Sequence, residues 1–286
     1  MRKRLPPWLK VTLGRGENFS HVRKALAEQG LHTVCSSARC PNLGECWNSG
    51  TATFMILGDV CTRNCRFCAV PYGVPKPLDS REAGNVVKAV KELGLKYAVI
   101  TSVTRDDLND GGSNLFSLVI RKLKEELKTI RVEVLIPDFK GNSEALNTVL
   151  NADPDVLNHN VETVPSLYSK VRPQADYMTS LKVLNEASQR IGVDRTKSGM
   201  MLGFGESREE IINVFNDLLE SGVGRLTLGQ YLQPTREHLI VHRYLPPAEF
   251  DEIGEIARKM GFKYVASGPL VRSSYHAAEM DETNID

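Results

Sequence analysis

All six cysteines of this 286-residue chain lie between Cys35 and Cys68, in two groups of three. The first group is Cys35-Ser-Ser-Ala-Arg-Cys40-Pro-Asn-Leu-Gly-Glu-Cys46, spaced C-x4-C-x5-C. The second is Cys61-Thr-Arg-Asn-Cys65-Arg-Phe-Cys68, spaced C-x3-C-x2-C. Soft thiolates gathered in threes suit iron–sulfur clusters, and a cubane cluster takes four ligands, so each trio is one short. An open position is what a catalytic metal site keeps and a structural one closes.

Two other chemistries compete for these thiols. Disulfides fit the even count, but Met1-Arg-Lys-Arg-Leu-Pro-Pro leads into no apolar signal stretch. Disulfide frameworks also tend to spread along small secreted domains, and a chain this long builds a core without them. Zinc is the stronger competitor. Only Cys65 and Cys68 form a C-x2-C pair, however, and His32 is the histidine near the cysteine block. Two zinc ions would leave both trios without an obvious fourth partner.

The cysteines must be held by a scaffold, and hydrophobic periodicity outlines one. Strand-like segments at Thr53–Val60, Tyr97–Val103, Arg131–Ile136, Asp155–Val161, Lys197–Phe204 and Arg225–Leu232 alternate with helix-like ones. The helices are expected over Ser80–Leu93, from near Ser113, over Asn142–Leu150, Tyr177–Ile191, from Ser207 and over Pro247–Met260. Ser207-Arg-Glu-Glu210 fits a capping box, and Pro247 with Gly261 gives the last helix its expected start and stop. Successive βα units imply parallel strands with outer helices. Six units fall short of the eight that close a barrel, so the expected class is α/β, an open partial (β/α)6 TIM-like barrel. The expected organisation is an N-terminal extension over 1–52 with a short helix near Phe19–Gln29, the barrel over 53–262, and a C-terminal extension over 263–286.

In such folds functional groups gather where strands end. Cys61, Cys65 and Cys68 follow the first strand directly. Other strands lead into Thr101-Ser-Val-Thr-Arg-Asp-Asp-Leu-Asn-Asp-Gly-Gly112, Asn158-His-Asn-Val-Glu162, Gly203-Phe-Gly-Glu206 and Gly229-Gln-Tyr231. Any one of these alone reads as a solvated turn; together with the cysteines they favour one polar site. With 36 Lys plus Arg against 35 Asp plus Glu, the net charge argues against a general nucleic-acid binder. No apolar run is long enough to span a bilayer, which makes a membrane protein the poorer reading. Clustered thiols point to a reducing compartment, most simply the cytoplasm.

The C-x3-C-x2-C spacing with Phe67 before its last cysteine resembles the radical S-adenosylmethionine superfamily. That resemblance implies a 4Fe–4S cluster on Cys61, Cys65 and Cys68. The methionine of S-adenosylmethionine would occupy the open iron and yield a 5′-deoxyadenosyl radical on reduction. The first trio, within CSSARCPNLGECW, narrows the likeness to lipoyl synthases. Further strings extend it along nearly the whole chain: PPWLK, ITSVTRDDLNDGG, LNHNVETVPSLY, KSGMMLGFGE, LTLGQYLQPTREHL and Arg272-Ser-Ser-Tyr275.

The family likeness implies a second, auxiliary 4Fe–4S cluster on Cys35, Cys40 and Cys46, with Ser274 as its fourth ligand. Oxygen is a poor match for iron beside three thiolates, which makes sense if this cluster must be dismantled. The implied reaction inserts sulfur from that cluster at carbons 6 and 8 of an octanoyl chain carried on a lysine, consuming two S-adenosylmethionine molecules. It further implies octanoylated lipoyl carrier domains as partners: 2-oxoacid dehydrogenase E2 subunits and the glycine cleavage H protein. An electron donor such as ferredoxin or flavodoxin and an iron–sulfur cluster carrier complete the expected partners. Asn158, Asn160, Glu162, Gly203, Gly205 and Glu206 are assigned to the S-adenosylmethionine pocket, since glycines permit close approach while amides and carboxylates bind hydroxyls and an ammonium. Thr101, Ser102, Arg105 and Asp107 are expected to border cofactor or substrate. His159 is expected to be a structural hydrogen-bonding residue, and Arg236, His238, His242 and Arg243 a solvated surface or docking strip.

Overall fold

The computed structural model describes residues 5–11, 16–48, 52–275 and 277–278. Its contacts fall into two compact units. One joins Val11–Arg63 to Ala69–Leu157; the other joins Met1–Lys10, Asn64–Cys68 and Asn158–Asp286. We call them the N-terminal and C-terminal units.

The N-terminal unit runs α1 (Glu17–Glu28), β1 (His32–Thr33), α2 (Val34–Ser37), α3 (Leu43–Asn48), β2 (Thr53–Ile56), α4 (Glu82–Glu92), β3 (Tyr97–Ser102), α5 (Ser113–Glu126), β4 (Arg131–Leu135), α6 (Ser143–Leu150) and β5 (Val156–Asn158). The last residue of β5 falls in the other unit. Strands β2, β3 and β4 pair in parallel, with Phe54 opposite Ile100 and Ile100 opposite Val134. The two-residue β1 adds to β2 antiparallel, His32 facing Met55. Phe54, Ile56, Ile100, Val132 and Val134 are all fully buried, as are Val86, Val90, Phe116, Val119 and Leu123 on α4 and α5. Strands covered by helices read as nearly continuous apolar runs for this reason. Each such side chain contributes roughly 1.5–3 kcal/mol of burial.

The C-terminal unit runs α7 (Tyr168–Val171), α8 (Tyr177–Ile191), β6 (Thr196–Leu202), α9 (Arg208–Glu220), β7 (Arg225–Gln230), α10 (Pro247–Met260) and β8 (Tyr264–Gly268). Its strands are again parallel, Met200 facing Leu228 and Leu226 facing Val265. Leu184, Leu202, Val214, Phe215, Leu218, Leu228 and Phe250 form the core between them and the helices. Asp176 caps α8 by accepting the Thr179 N–H, and Ser207 with Glu210 closes a reciprocal capping box on α9. These side chains stop the chain from fraying where strand-end loops turn into helices.

Helices α8 and α10 match the expected spans, whereas the strands end earlier than periodicity suggests. The chain leaves the sheet through left-handed backbone at Leu57 (φ 71°) and Gly58 (φ 92°) and at Gly203 (φ 109°). Apolar residues continue past those points, but the ladder does not. Two strands, β1 and β8, were not anticipated: one is only two residues long, and the other is half-buried throughout. No helix among the described residues is long and apolar enough to cross a membrane.

Candidate functional site

Cys61 sits in the N-terminal unit just beyond β2, in a loop whose backbone is tied on both sides. Its N–H donates to the Pro71 carbonyl at 2.8 Å, and its own carbonyl accepts the Gly73 N–H at 3.0 Å. Its Sγ accepts the Arg63 N–H at 3.4 Å and the Thr104 N–H at 3.3 Å. Thr62 fixes the neighbouring loop, donating its hydroxyl to Thr104 O and accepting the Asp106 N–H, each at 3.0 Å. Two amides aimed at one sulfur fix its position and are among the levers that set the potential of a bound cluster.

Beneath this loop lies an ion-pair cluster that sequence reasoning missed. Arg63, 6% exposed, bonds bidentately to both Asp138 (2.6 and 2.7 Å) and Asp106 (2.7 and 3.0 Å). The three residues come from the loops after β2, β3 and β4. Burial works against the Arg63 charge, but its bonds to Asp138 and Asp106 outweigh that and hold the guanidinium more firmly protonated than in water. An arginine between two cysteines, with acids at two later strand ends, was the available signal. Arg105 plays a similar part nearby, chelating Asp107 and donating to the Leu57 carbonyl at 3.2 Å. Thr101 donates to the Leu135 carbonyl at 3.0 Å, while the buried Ser102 hydroxyl has no hydrogen-bond partner among the described residues.

The first trio also belongs to the N-terminal unit. Thr33 caps α2 by accepting the Ser36 N–H, the Cys40 N–H donates to Cys35 O at 2.9 Å, and the Cys46 N–H donates to Asn42 O at 2.9 Å. The C-x4-C-x5-C segment is thus wound into two short turns of helix. Burial pushes the Cys35 thiol above its ordinary range, hydrogen bonds with Thr53 oppose this, and the neighbouring Cys40 adds to the rise.

Cys65 and Cys68 lie in the C-terminal unit, where the Cys68 N–H closes a turn onto Cys65 O at 3.0 Å. The Arg66 N–H donates to Val171 O, and Arg66 O accepts the Leu239 N–H. Phe67 packs edge-on against Phe204, which stacks on Tyr231 with centroids 4.2 Å apart. The imidazole of His238 joins the Cys68 carbonyl at 2.8 Å and Thr235 at 2.7 Å, so this residue leaves the expected solvated strip and instead holds the cysteine turn. Arg236, His242 and Arg243 are exposed, as expected.

The remaining strand ends of this unit carry the polar loops. Asn158 is fully buried, and His159 bonds the Ser180 hydroxyl at 3.0 Å, the structural role expected of it. Asn160 donates to Glu162 at 3.2 Å and to the Ser273 hydroxyl at 2.7 Å. Its Oδ1 is buried without a hydrogen-bond partner among the described residues, an acceptor suited to a ligand N–H or hydroxyl. Desolvation pushes the Glu162 carboxyl above the usual range, against the pull of Arg172, Asn160 and Arg272. Glu206 accepts the N–H groups of Gly203, Phe204 and Gly205, wrapping its own loop; burial raises its pKa although these bonds oppose it. A Cβ at Gly205 would meet the His242 ring at 3.4 Å, so the loop runs close beneath that side chain.

All six cysteines are free of disulfides. Among the described residues no three His, Cys, Asp or Glu side chains converge as ligands of a single metal ion. A cubane does not require such convergence, because each thiolate binds a different iron at a separate corner. The donor set of the second trio, three thiols with two amides on Cys61 Sγ, fits an iron–sulfur cluster.

Two family models match the chain: the radical SAM superfamily over residues 55–218 and the N-terminal domain of lipoyl synthase over residues 1–40. Among curated proteins, lipoyl synthase of Caldanaerobacter subterraneus is 53% identical over 97% of this chain and 97% of its own length. The chain belongs to the lipoyl synthase family. Lipoyl synthases of Coxiella burnetii (54% identical, 96% of this chain and 87% of the relative) and Desulfotalea psychrophila (54%, 98% and 94%) match similarly. The crystal structure of Streptococcus suis SuiB bound to precursor peptide SuiA aligns with a TM-score of 0.58 at 14% identity. That alignment covers 75% of this chain and 48% of SuiB. Methylornithine synthase aligns at 0.50 and 15% identity, covering 74% and 69%. At such identities the likeness shows the fold alone, the α/β class with parallel strands expected from the sequence. Superfamily membership brings with it S-adenosylmethionine and a 4Fe–4S cluster.

Proposed function

We propose that this lipoyl synthase family member is a sulfurtransferase that adds two sulfur atoms, at carbons 6 and 8, to the octanoyl chain of an octanoyl-lysine on a lipoyl carrier domain. The observation that carries this reading is identity above 50% along nearly the whole length of curated lipoyl synthases, with both cysteine trios intact. When bound, one 4Fe–4S cluster with S-adenosylmethionine supplies a hydrogen-abstracting radical, and an auxiliary 4Fe–4S cluster supplies sulfide.

The chain's residues hold and orient these groups. Cys61, Cys65 and Cys68 are assigned to the radical-forming cluster, and Cys35, Cys40, Cys46 and Ser274 to the auxiliary one. The amides of Arg63 and Thr104 orient the Cys61 sulfur, and Arg63 with Asp106 and Asp138 keeps its loop from shifting. Asn158, Asn160, Glu162, Gly203, Gly205, Glu206, Thr101 and Ser102 form the proposed S-adenosylmethionine surroundings. The buried acceptor on Asn160 supports this assignment. Phe67, Phe204 and Tyr231 form an apolar stack beside the turn that carries Cys65 and Cys68.

The test is anaerobic incubation of the reconstituted protein with reductant, S-adenosylmethionine and an octanoylated lysine peptide, read by mass spectrometry. The expected result is 5′-deoxyadenosine and a peptide heavier by two sulfurs. Cleavage of S-adenosylmethionine without sulfur gain would overturn the reaction, and zinc in place of iron would overturn the cluster assignment.

A further inference from the structure

Beyond β8 the chain turns back over the strands of its own unit. The Gln230 N–H donates to Pro269 O at 3.3 Å, and the Tyr275 N–H closes a turn onto Arg272 O at 3.0 Å. Two glycines on the adjacent strands β6 and β7 make room for this tail. A Cβ on Gly229 would overlap the Val271 carbonyl and lie 3.0 Å from the Arg272 guanidinium. A Cβ on Gly199 would overlap the Thr227 hydroxyl and crowd Asn160 Oδ1 at 3.0 Å and Ser273 Oγ at 3.2 Å. Neither glycine has positive φ, so the absent side chain, and not backbone freedom, is what each position uses. At the deep end of the slot Asn160 Nδ2 donates to Ser273 Oγ at 2.7 Å.

We infer that Ser273 is a positioning residue: its bond to Asn160 latches the tail into the Gly199–Gly229 slot and so presents the next residue, Ser274, as the weak fourth ligand of the auxiliary cluster. The inference rests on the proposed function for Ser274's role, but the latch itself is a property of the iron-free chain. A lone serine hydroxyl competes poorly for iron unless the chain holds it in place. Fastening its neighbour supplies that hold without strengthening the iron–oxygen bond, so the ligand still dissociates when the cluster is consumed.

The decisive measurement is hydrogen exchange of the segment 270–275 in metal-free protein, comparing wild type, Ser273→Ala and Ser274→Ala. Ser273→Ala is expected to exchange about fivefold faster there, the factor one hydrogen bond of ordinary strength provides, with α8 and α10 unchanged. Ser274→Ala should match wild type. In reconstituted samples both variants should still form 5′-deoxyadenosine but lose sulfur insertion, and Mössbauer spectra of both should lack the oxygen-bound iron. Wild-type exchange in Ser273→Ala, or wild-type sulfur insertion by it, would overturn the latch. If wild type itself inserts no sulfur, the proposed function falls and the exchange and Mössbauer comparisons decide the latch alone.

Discussion

Arg63 is surrounded by two carboxylates at positions where water reaches poorly, and the cost of disturbing such a group is asymmetric. Removing the guanidinium strips the buried Asp138 of its ion-pair partner and leaves Asp106 with only the distant Lys140, so Arg63→Ala is expected to lose about 3–5 kcal/mol in urea denaturation. Arg63→Lys should recover only part of that, since one ammonium cannot chelate both acids. Glu82 poses the opposite case. It is 9% exposed, accepts the Leu57 N–H at 3.0 Å, and burial raises its pKa against the bonds from Leu57 and Gly58. The unfolded chain releases this proton at the ordinary glutamate value and the folded chain only at higher pH. The folded state therefore binds more protons in that window, and stability falls as pH rises through it. Glu82→Gln should abolish that fall; an unchanged pH–stability profile from denaturation at several pH values would refute the assignment. Neither residue was legible beforehand, because pairing among Arg63, Asp106 and Asp138 depends on three loops meeting. The cysteine trios were legible because sulfur spacing is local.

Capping chemistry is local too, which explains why α8, α9 and α10 could be read from the sequence almost residue for residue. Asp176, Ser207 with Glu210, and Pro247 with Gly261 each satisfy or end their helix within one turn. Ser207→Ala is expected to cost about 1 kcal/mol, measured by thermal or urea unfolding, with no change in S-adenosylmethionine cleavage. Strand ends were less legible. Apolar periodicity runs on through Leu57 and through Phe204, yet the ladder stops where φ turns positive at Leu57 and Gly203. The two unforeseen strands, β1 and β8, carry few fully buried side chains, so alternation gave no signal.

Considered across the entire chain, the proposed reaction divides the labour between the two trios, and single substitutions should separate them. Cys35→Ala is expected to retain 5′-deoxyadenosine formation at near wild-type level while yielding no dithiolated product. Cys65→Ala should lose both. Chromatographic quantitation of 5′-deoxyadenosine beside mass spectrometry of the octanoyl peptide checks the pair, and sulfur gain by Cys35→Ala would remove the first trio from the reaction. Function was legible at this level because long strings such as LNHNVETVPSLY and LTLGQYLQPTREHL carry the resemblance to lipoyl synthases. What they did not reveal is how those strings are fastened. His238, within the second string, holds the Cys68 carbonyl, and Asn160, within the first, holds Ser273.

The wrapped carboxylate of Glu206 has one more implication. Its Oε1 serves Gly203 and its Oε2 serves both Phe204 and Gly205, so each oxygen faces at least one peptide donor. A glutamine has the same outline, yet whichever way its amide were flipped, an NH2 would confront a peptide N–H. Shape mimicry is therefore worthless at this position. Aspartate, with the right charge, is a methylene too short to reach around the turn. Libraries randomised at residue 206 and selected for lipoate-independent growth should return the parental acid and little else.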